Sequence, residues 1–141
     1  MFKFIRNLGS PTRWDVDPYL YWLDSNLSLL PDGVADSVTD DRFLLGSDRS
    51  LWHSRLLSFV WEGRSGEMRF RADNGLSEFE FAYERVLKIV IVGRRFATAP
   101  SLTVHELVPI RRRCMRHAMS FLGGDGIVIY AEQIRFRERA Y

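Results

Sequence analysis

Glu67-Met68-Arg69-Phe70-Arg71-Ala72-Asp73-Asn74-Gly75-Leu76-Ser77-Glu78-Phe79-Glu80-Phe81-Ala82-Tyr83 is the stretch that decides the fold. In its first arm Met68, Phe70 and Ala72 alternate with Glu67, Arg69 and Arg71; in its second, Phe79, Phe81 and Tyr83 alternate with Glu78 and Glu80. Successive strand residues point to opposite faces, so each arm reads as a half-buried strand. Asp73-Asn74-Gly75 between them supplies the positive φ that a tight turn requires. The spacing predicts a hairpin with one apolar and one charged face, its glutamates across from Arg69 and Arg71. Exposed pairs of that kind contribute only about 0.2–1 kcal/mol each, so they serve register more than stability.

The pattern continues in both directions. Upstream, Leu57, Phe59 and Trp61 alternate with Leu56, Ser58 and Val60, and Glu62-Gly63-Arg64-Ser65-Gly66 reads as a turn. Downstream, Val86–Val92 is a β-branched run broken only by Lys88, which predicts a central strand buried on both faces. Leu102–Val108 and Cys114–Phe121 form a further hairpin around Pro109–Arg113, and Gly123-Gly124-Asp125-Gly126 leads into Ile127–Phe136. That makes about six strands joined by short turns, an antiparallel meander. Before residue 50 the texture differs. Asp17-Pro18 is an N-cap candidate followed by proline at the first helical position, Leu20, Leu23, Leu27 and Leu30 recur at helical spacing, and Pro31-Asp32-Gly33 ends the run. The expectation is an N-terminal amphipathic helix packed on the sheet, widened by Tyr19, Tyr21 and Trp22. Residues 34–48 read as an acidic loop with one more helical turn at Phe43-Leu44-Leu45. The fold class is α+β.

Composition bounds the function. With 141 residues, 46% hydrophobic and 27% charged, the chain fits one globular domain, helical or irregular over 1–50 and sheet over 51–137. Cys114 is the sole cysteine, so there is no disulfide framework and no Cys/His zinc pattern, which favours a reducing cytoplasm. No stretch has the apolar length of a signal peptide or a membrane span. Charge is uneven. Residues 1–50 set eight aspartates (Asp15, Asp17, Asp24, Asp32, Asp36, Asp40, Asp41, Asp48) against Lys3, Arg6, Arg13, Arg42 and Arg49, whereas beyond residue 50 base is in excess and Lys88 is the only lysine.

Two groups of residues carry candidate chemistry. The first is a basic face made of Arg111, Arg112, Arg113 and Arg116 with Arg135 and Arg137 on the last strand. Guanidinium forks make bidentate contacts with carboxylate or phosphate, so the face suits an acidic protein, with nucleic acid as the lesser reading. The second is a polar constellation of His53, Glu106 and His117. A two-residue turn centred on Arg111-Arg112 puts Glu106 opposite His117; a turn one residue longer puts Arg116 opposite Glu106. Either register gives a carboxylate–cation pair across the hairpin. The constellation would serve a small-ligand or metal-binding protein, or an enzyme, if the three side chains converge. Neither the helical His-Glu-His spacing of zinc hydrolases nor a base on the same face as Cys114 is present. The reading calls for no catalytic residue, no cofactor and no metal.

Leu51-Trp52-His53-Ser54-Arg55-Leu56, Val104-His105-Glu106-Leu107, Arg116-His117-Ala118-Met119-Ser120-Phe121 and Gly126-Ile127-Val128-Ile129-Tyr130 carry a resemblance. The succession resembles a family of small bacterial proteins of unknown function with a Leu-His-Asp-Ala-type strand opening, itself similar to immunity proteins of bacterial toxin systems. Ser54-Arg55 stands where that pattern has Asp-Ala, and Val104-His105 where it has Tyr-Asp. The resemblance covers roughly residues 50–137 and implies a fold and a role in binding, with His53, Glu106 and His117 at the matching positions. The combined expectation is a non-enzymatic, cytoplasmic protein-binding module, plausibly an immunity-like inhibitor. Oligomeric state is open: the Val128–Arg137 strand could pair edge to edge with a second copy, although its arginines oppose that.

Overall fold

The computed structural model describes residues 1–10, 13–30, 51, 53–93 and 100–140. Its centre is an antiparallel sheet of six strands: β3 (Arg55–Glu62), β4 (Ser65–Arg71), β5 (Ser77–Val92), β6 (Leu102–Arg111), β7 (Cys114–Phe121) and β8 (Gly126–Ala140). The spatial order is β3-β4-β5-β8-β7-β6. Two three-stranded meanders, β3–β5 and β6–β8, therefore join through their last strands, and the single running meander expected from the turns is replaced by this arrangement. The join is long. Residues from Ser77 to Val92 on β5 run against Ala140 to Gly126 on β8, with a bulge between Val86 and Lys88.

The expected hairpin forms with Phe70 opposite Phe79 and Met68 opposite Phe81. Gly75 takes φ +72° in its loop, the left-handed conformation in which glycine carries no steric cost. Arg69 lies opposite Glu80 but reaches diagonally to Glu78 at 2.6 Å, while Glu80 turns to Arg137 on β8. The two meanders also meet at their first strands. Ser54 C=O accepts from Leu102 N–H at 2.8 Å, Pro100 C=O accepts from Leu56 N–H at 3.0 Å, and Arg55 bridges Ser101. The sheet thus curls until its two edge strands touch at one end. Its inner face is closed by Phe70, Phe79, Phe81, Met68, Met119, Phe121 and Ile129, all essentially without solvent contact.

One expectation fails on the sheet. Val86–Val92 is not buried on both faces: Leu87, Ile91 and Val92 are exposed. It is the second half of β5 rather than a separate strand, and β4 pairs only with residues 78–83, so among the described residues no strand on that side covers the run.

The N-terminal part holds more β structure than its sequence texture implies. β1 (Arg6–Ser10) and β2 (Arg13–Asp15) form a short antiparallel hairpin ahead of α1 (Asp17–Asn26), which gives way to a 3₁₀ turn at Leu27–Leu29. Asp17 lies in the first turn of the helix and the cap is Val16, so proline and the acidic charge mark the start correctly but one residue late. The leucine stripe packs in part: Leu23 and Leu30 are buried and Leu27 lies against the core, whereas Leu20 and Tyr21 are exposed. Aromatics complete the face, with Tyr19 buried and Phe4 stacked on Trp22 with ring centres 5.0 Å apart. The Tyr19 hydroxyl donates to Leu107 C=O at 2.7 Å and accepts from Leu107 N–H at 2.9 Å, capping the outer edge of β6. The expected loop at 34–48 and its helical turn lie outside the described residues.

Candidate functional site

The candidate site is the tip of the β6–β7 hairpin. Arg111 pairs with Cys114, leaving Arg112 and Arg113 as the two turn residues, and all three arginines are exposed. Arg113 sits at φ +60°, a left-handed conformation costing a residue with a Cβ roughly 1–2 kcal/mol relative to glycine. Behind the tip lies a groove of about 420 Å³ lined by Leu29, Pro109, Ile110 and Met115, with the arginines and Glu132 around it. Among the described residues no carboxylate pairs with Arg111, Arg112 or Arg113. That contrasts with the arginines of β8: Arg135 meets Glu84 at 3.5 Å, Arg137 meets Glu80 at 2.6 Å and Arg139 meets Glu80 at 3.6 Å.

The six arginines expected to share one basic face are therefore divided. Arg111, Arg112 and Arg113 stand together; Arg135 and Arg137 lie farther along β8 within a lattice of glutamates; Arg116 is buried. Arg116 serves the N-terminus. Its guanidinium donates to Met1 C=O and, through Nε, to Tyr130 Oη at 3.2 Å, and it lies 3.8 Å from Glu106. Glu106, wholly buried, accepts backbone N–H bonds from Lys3 at 2.8 Å, Phe4 at 2.8 Å and Ile5 at 3.0 Å. The carboxylate–cation pair expected in this hairpin exists, but in neither expected register. Glu106 lies opposite Ala118 and reaches Arg116 diagonally, because the turn falls at Arg112-Arg113 rather than Arg111-Arg112 and the bulge between Pro109 and Arg111 takes back only one of the two positions gained.

The polar constellation does not converge. Leu107 lies opposite His117, so Glu106 and His117 occupy opposite faces of the sheet. His53 lies at the seam where the meanders meet, its N–H donating to Leu102 C=O at 2.9 Å. What the inner face does assemble is a different set. His117 Nδ1 is 2.7 Å from the Tyr83 hydroxyl, and its Nε2 is 3.1 Å from His105 Nδ1. The Phe81 ring packs 4.7 Å from that of His117. Burial, reinforced by His105, holds His117 well below the usual histidine range, and burial pushes Tyr83 well above the tyrosine range. His117 and Tyr83 are consequently neutral, and with His105 they form a chain of hydrogen bonds threading an apolar core. Among the described residues, no three or more His, Cys, Asp or Glu side chains are grouped to hold a metal. His105 was missed from sequence because the one-residue register error put Glu106 beside His117 in its place.

No family model matches the chain, and no curated protein matches it. A solved structure described as an uncharacterized protein from Neisseria gonorrhoeae is similar to it at 15% identity and a TM-score of 0.49, over 61% of this chain and 91% of that one. No helix among the described residues is long and apolar enough to cross a membrane.

Proposed function

We propose that this chain is a non-enzymatic protein-binding module, an immunity-like inhibitor that grips an acidic partner with the arginine tip of its β6–β7 hairpin. The observation that carries the reading is the tip itself: three exposed arginines without a carboxylate partner among the described residues, one of them in a strained backbone conformation. Strain of this kind concentrates at binding clamps, where a fixed side-chain direction compensates for its cost. The adjoining groove favours protein over nucleic acid. Its floor is formed by Leu29, Pro109, Ile110 and Met115 and carries no aromatic ring on which a base could stack. An apolar side chain flanked by carboxylates would fill the groove and meet the arginines at its rim, with charge steering the encounter.

The test is affinity capture from the cells that encode the chain, with and without nuclease, using the wild type and a variant with Arg111, Arg112 and Arg113 all changed to Glu. The expected result is one stoichiometric protein partner that survives nuclease and is lost from a variant that remains folded. A partner retained by the variant refutes the role of the tip. Loss of all bound material on nuclease treatment reassigns the tip to nucleic acid.

A further inference from the structure

We propose that two copies of this chain pair through the outer edge of β5 between Leu87 and Val92, extending the sheet across a two-fold axis. The last bond on that edge is Val86 N–H to Arg64 C=O at 2.9 Å. Beyond it β4 has turned away, and among the described residues no strand lies along 87–92. Leu87 is 49% exposed, Ile91 58% and Val92 40%, and Lys88 is the only charge in the run. The outer edge of β3 beyond Leu56 also has no strand beside it among the described residues and exposes Leu57, Val60 and Trp61, but the remaining sheet edges are treated differently. The start of β6 is joined to β3, its middle is capped by Tyr19, and the far half of β8 carries Arg135, Arg137 and Arg139. Proteins guard unpaired edges with charge, bulges or cover because such edges template further pairing. This edge has a single lysine.

The second copy is the occupant that matches it. Antiparallel pairing about an axis perpendicular to the sheet keeps inner faces together and sets residues of equal parity opposite one another. With the axis at Val90, Ile89 lies opposite Ile91 of the second copy and Lys88 opposite Val92. The two lysines are then four residues apart, about 13 Å along the strands, beyond the Debye length of about 8 Å at physiological salt. An acidic foreign strand would find one charge here, against three at the arginine tip, so charge directs such a partner elsewhere. The pairing is isologous and consumes the edge, so assembly stops at two chains. Five mutually paired residues, Lys88 to Val92, bury less than a standard interface of about 800 Å² per partner, which points to micromolar dissociation.

Sedimentation equilibrium over a micromolar to submillimolar series tests the pairing. The mass of the wild-type chain is expected to climb from 16.5 kDa towards twice that value as concentration rises. Ile91→Lys should weaken association at least tenfold while leaving circular dichroism and melting temperature unchanged. Val92→Asp serves the same purpose should the first variant fold poorly. In the wild type, amide exchange at residues 87–92 should slow as concentration increases. A wild type that stays monomeric throughout, with exchange at 87–92 independent of concentration, overturns the proposal and leaves the edge to a strand from another protein. A dimer of undiminished affinity in both variants overturns it as well, by placing the interface elsewhere.

Discussion

Replacing Glu106 by alanine is the sharpest test of how the N-terminus is held. The carboxylate accepts three backbone N–H bonds from Lys3, Phe4 and Ile5 and is the anion nearest the buried Arg116 guanidinium. Hydrogen bonds to a charged group contribute about 1.5–3 kcal/mol each, so a simple sum would exceed 4 kcal/mol. The sum overstates the loss, because residues 1–5 can peel away and let water satisfy those donors. The second route gives a similar figure: breaking a buried ion pair by removing one partner costs about 3–5 kcal/mol. Arg116 Nη1 already lacks a hydrogen-bond partner, and among the described residues Glu106 is the carboxylate paired with Arg116. A loss of about 4 kcal/mol is expected, a large share of the 5–15 kcal/mol typical of a domain. With a urea m-value of about 2 kcal/mol/M, the midpoint falls by about 2 M. Amide exchange at Lys3, Phe4 and Ile5 should accelerate far more than at the β5–β8 pairs. Glu106→Gln keeps one carbonyl acceptor and should lose about half as much. Midpoints within half a molar of wild type, with those three amides still protected, would refute the reasoning.

Two further outcomes follow from the geometry. His117 is held neutral in the fold, whereas in the unfolded chain it titrates near 6.5, so below that pH the unfolded state binds the extra proton. Stability is therefore full above about pH 6.5 and falls with decreasing pH, by up to about 1.4 kcal/mol per unit for this one proton, until the depressed folded value is reached. Urea midpoints measured from pH 8 to pH 4 in wild type and His117→Phe should diverge in that window and not above it. Separately, Arg113→Gly relieves the φ of +60° and should stabilise the fold by about 1 kcal/mol in thermal melts while weakening partner capture. A parallel fall in both would show that Arg113 serves the fold alone.

The sequence was most legible where the determinants are local. Alternation around Asn74-Gly75 returned the β4–β5 hairpin with its register, and the arginine cluster at 111–113 stood out because it interrupts two apolar strands. Legibility declined where distant residues decide. Nothing near Val86 announces that β4 ends before it while β8 continues beside it, so an exposed edge read as a buried strand. The turn at Arg112-Arg113, only half offset by the bulge near Pro109, moved the β6–β7 register by one, exchanging Glu106 for His105 as the neighbour of His117. Arg116 read as part of a surface cluster because its burial depends on residues 1–5, more than a hundred positions away. Arg6–Ser10 lacks alternation altogether, and its pairing with β2 left no trace in the pattern.

The pairing of β5 with β8 also sets a timetable for synthesis. Val92 leaves the ribosome well before Gly126, the residue it faces, and the intervening 34 residues take about 2–7 s at about 5–20 residues per second. During that interval Leu87–Val92 has no partner strand among the described residues, and the first meander is a sheet with an apolar flank. Non-local pairings of this kind form slowly in any case, on millisecond to second timescales. Expression yield should therefore respond to whatever shields that strand during translation, such as lower temperature or a chaperone that holds extended apolar segments, more than to stabilisation of the finished fold.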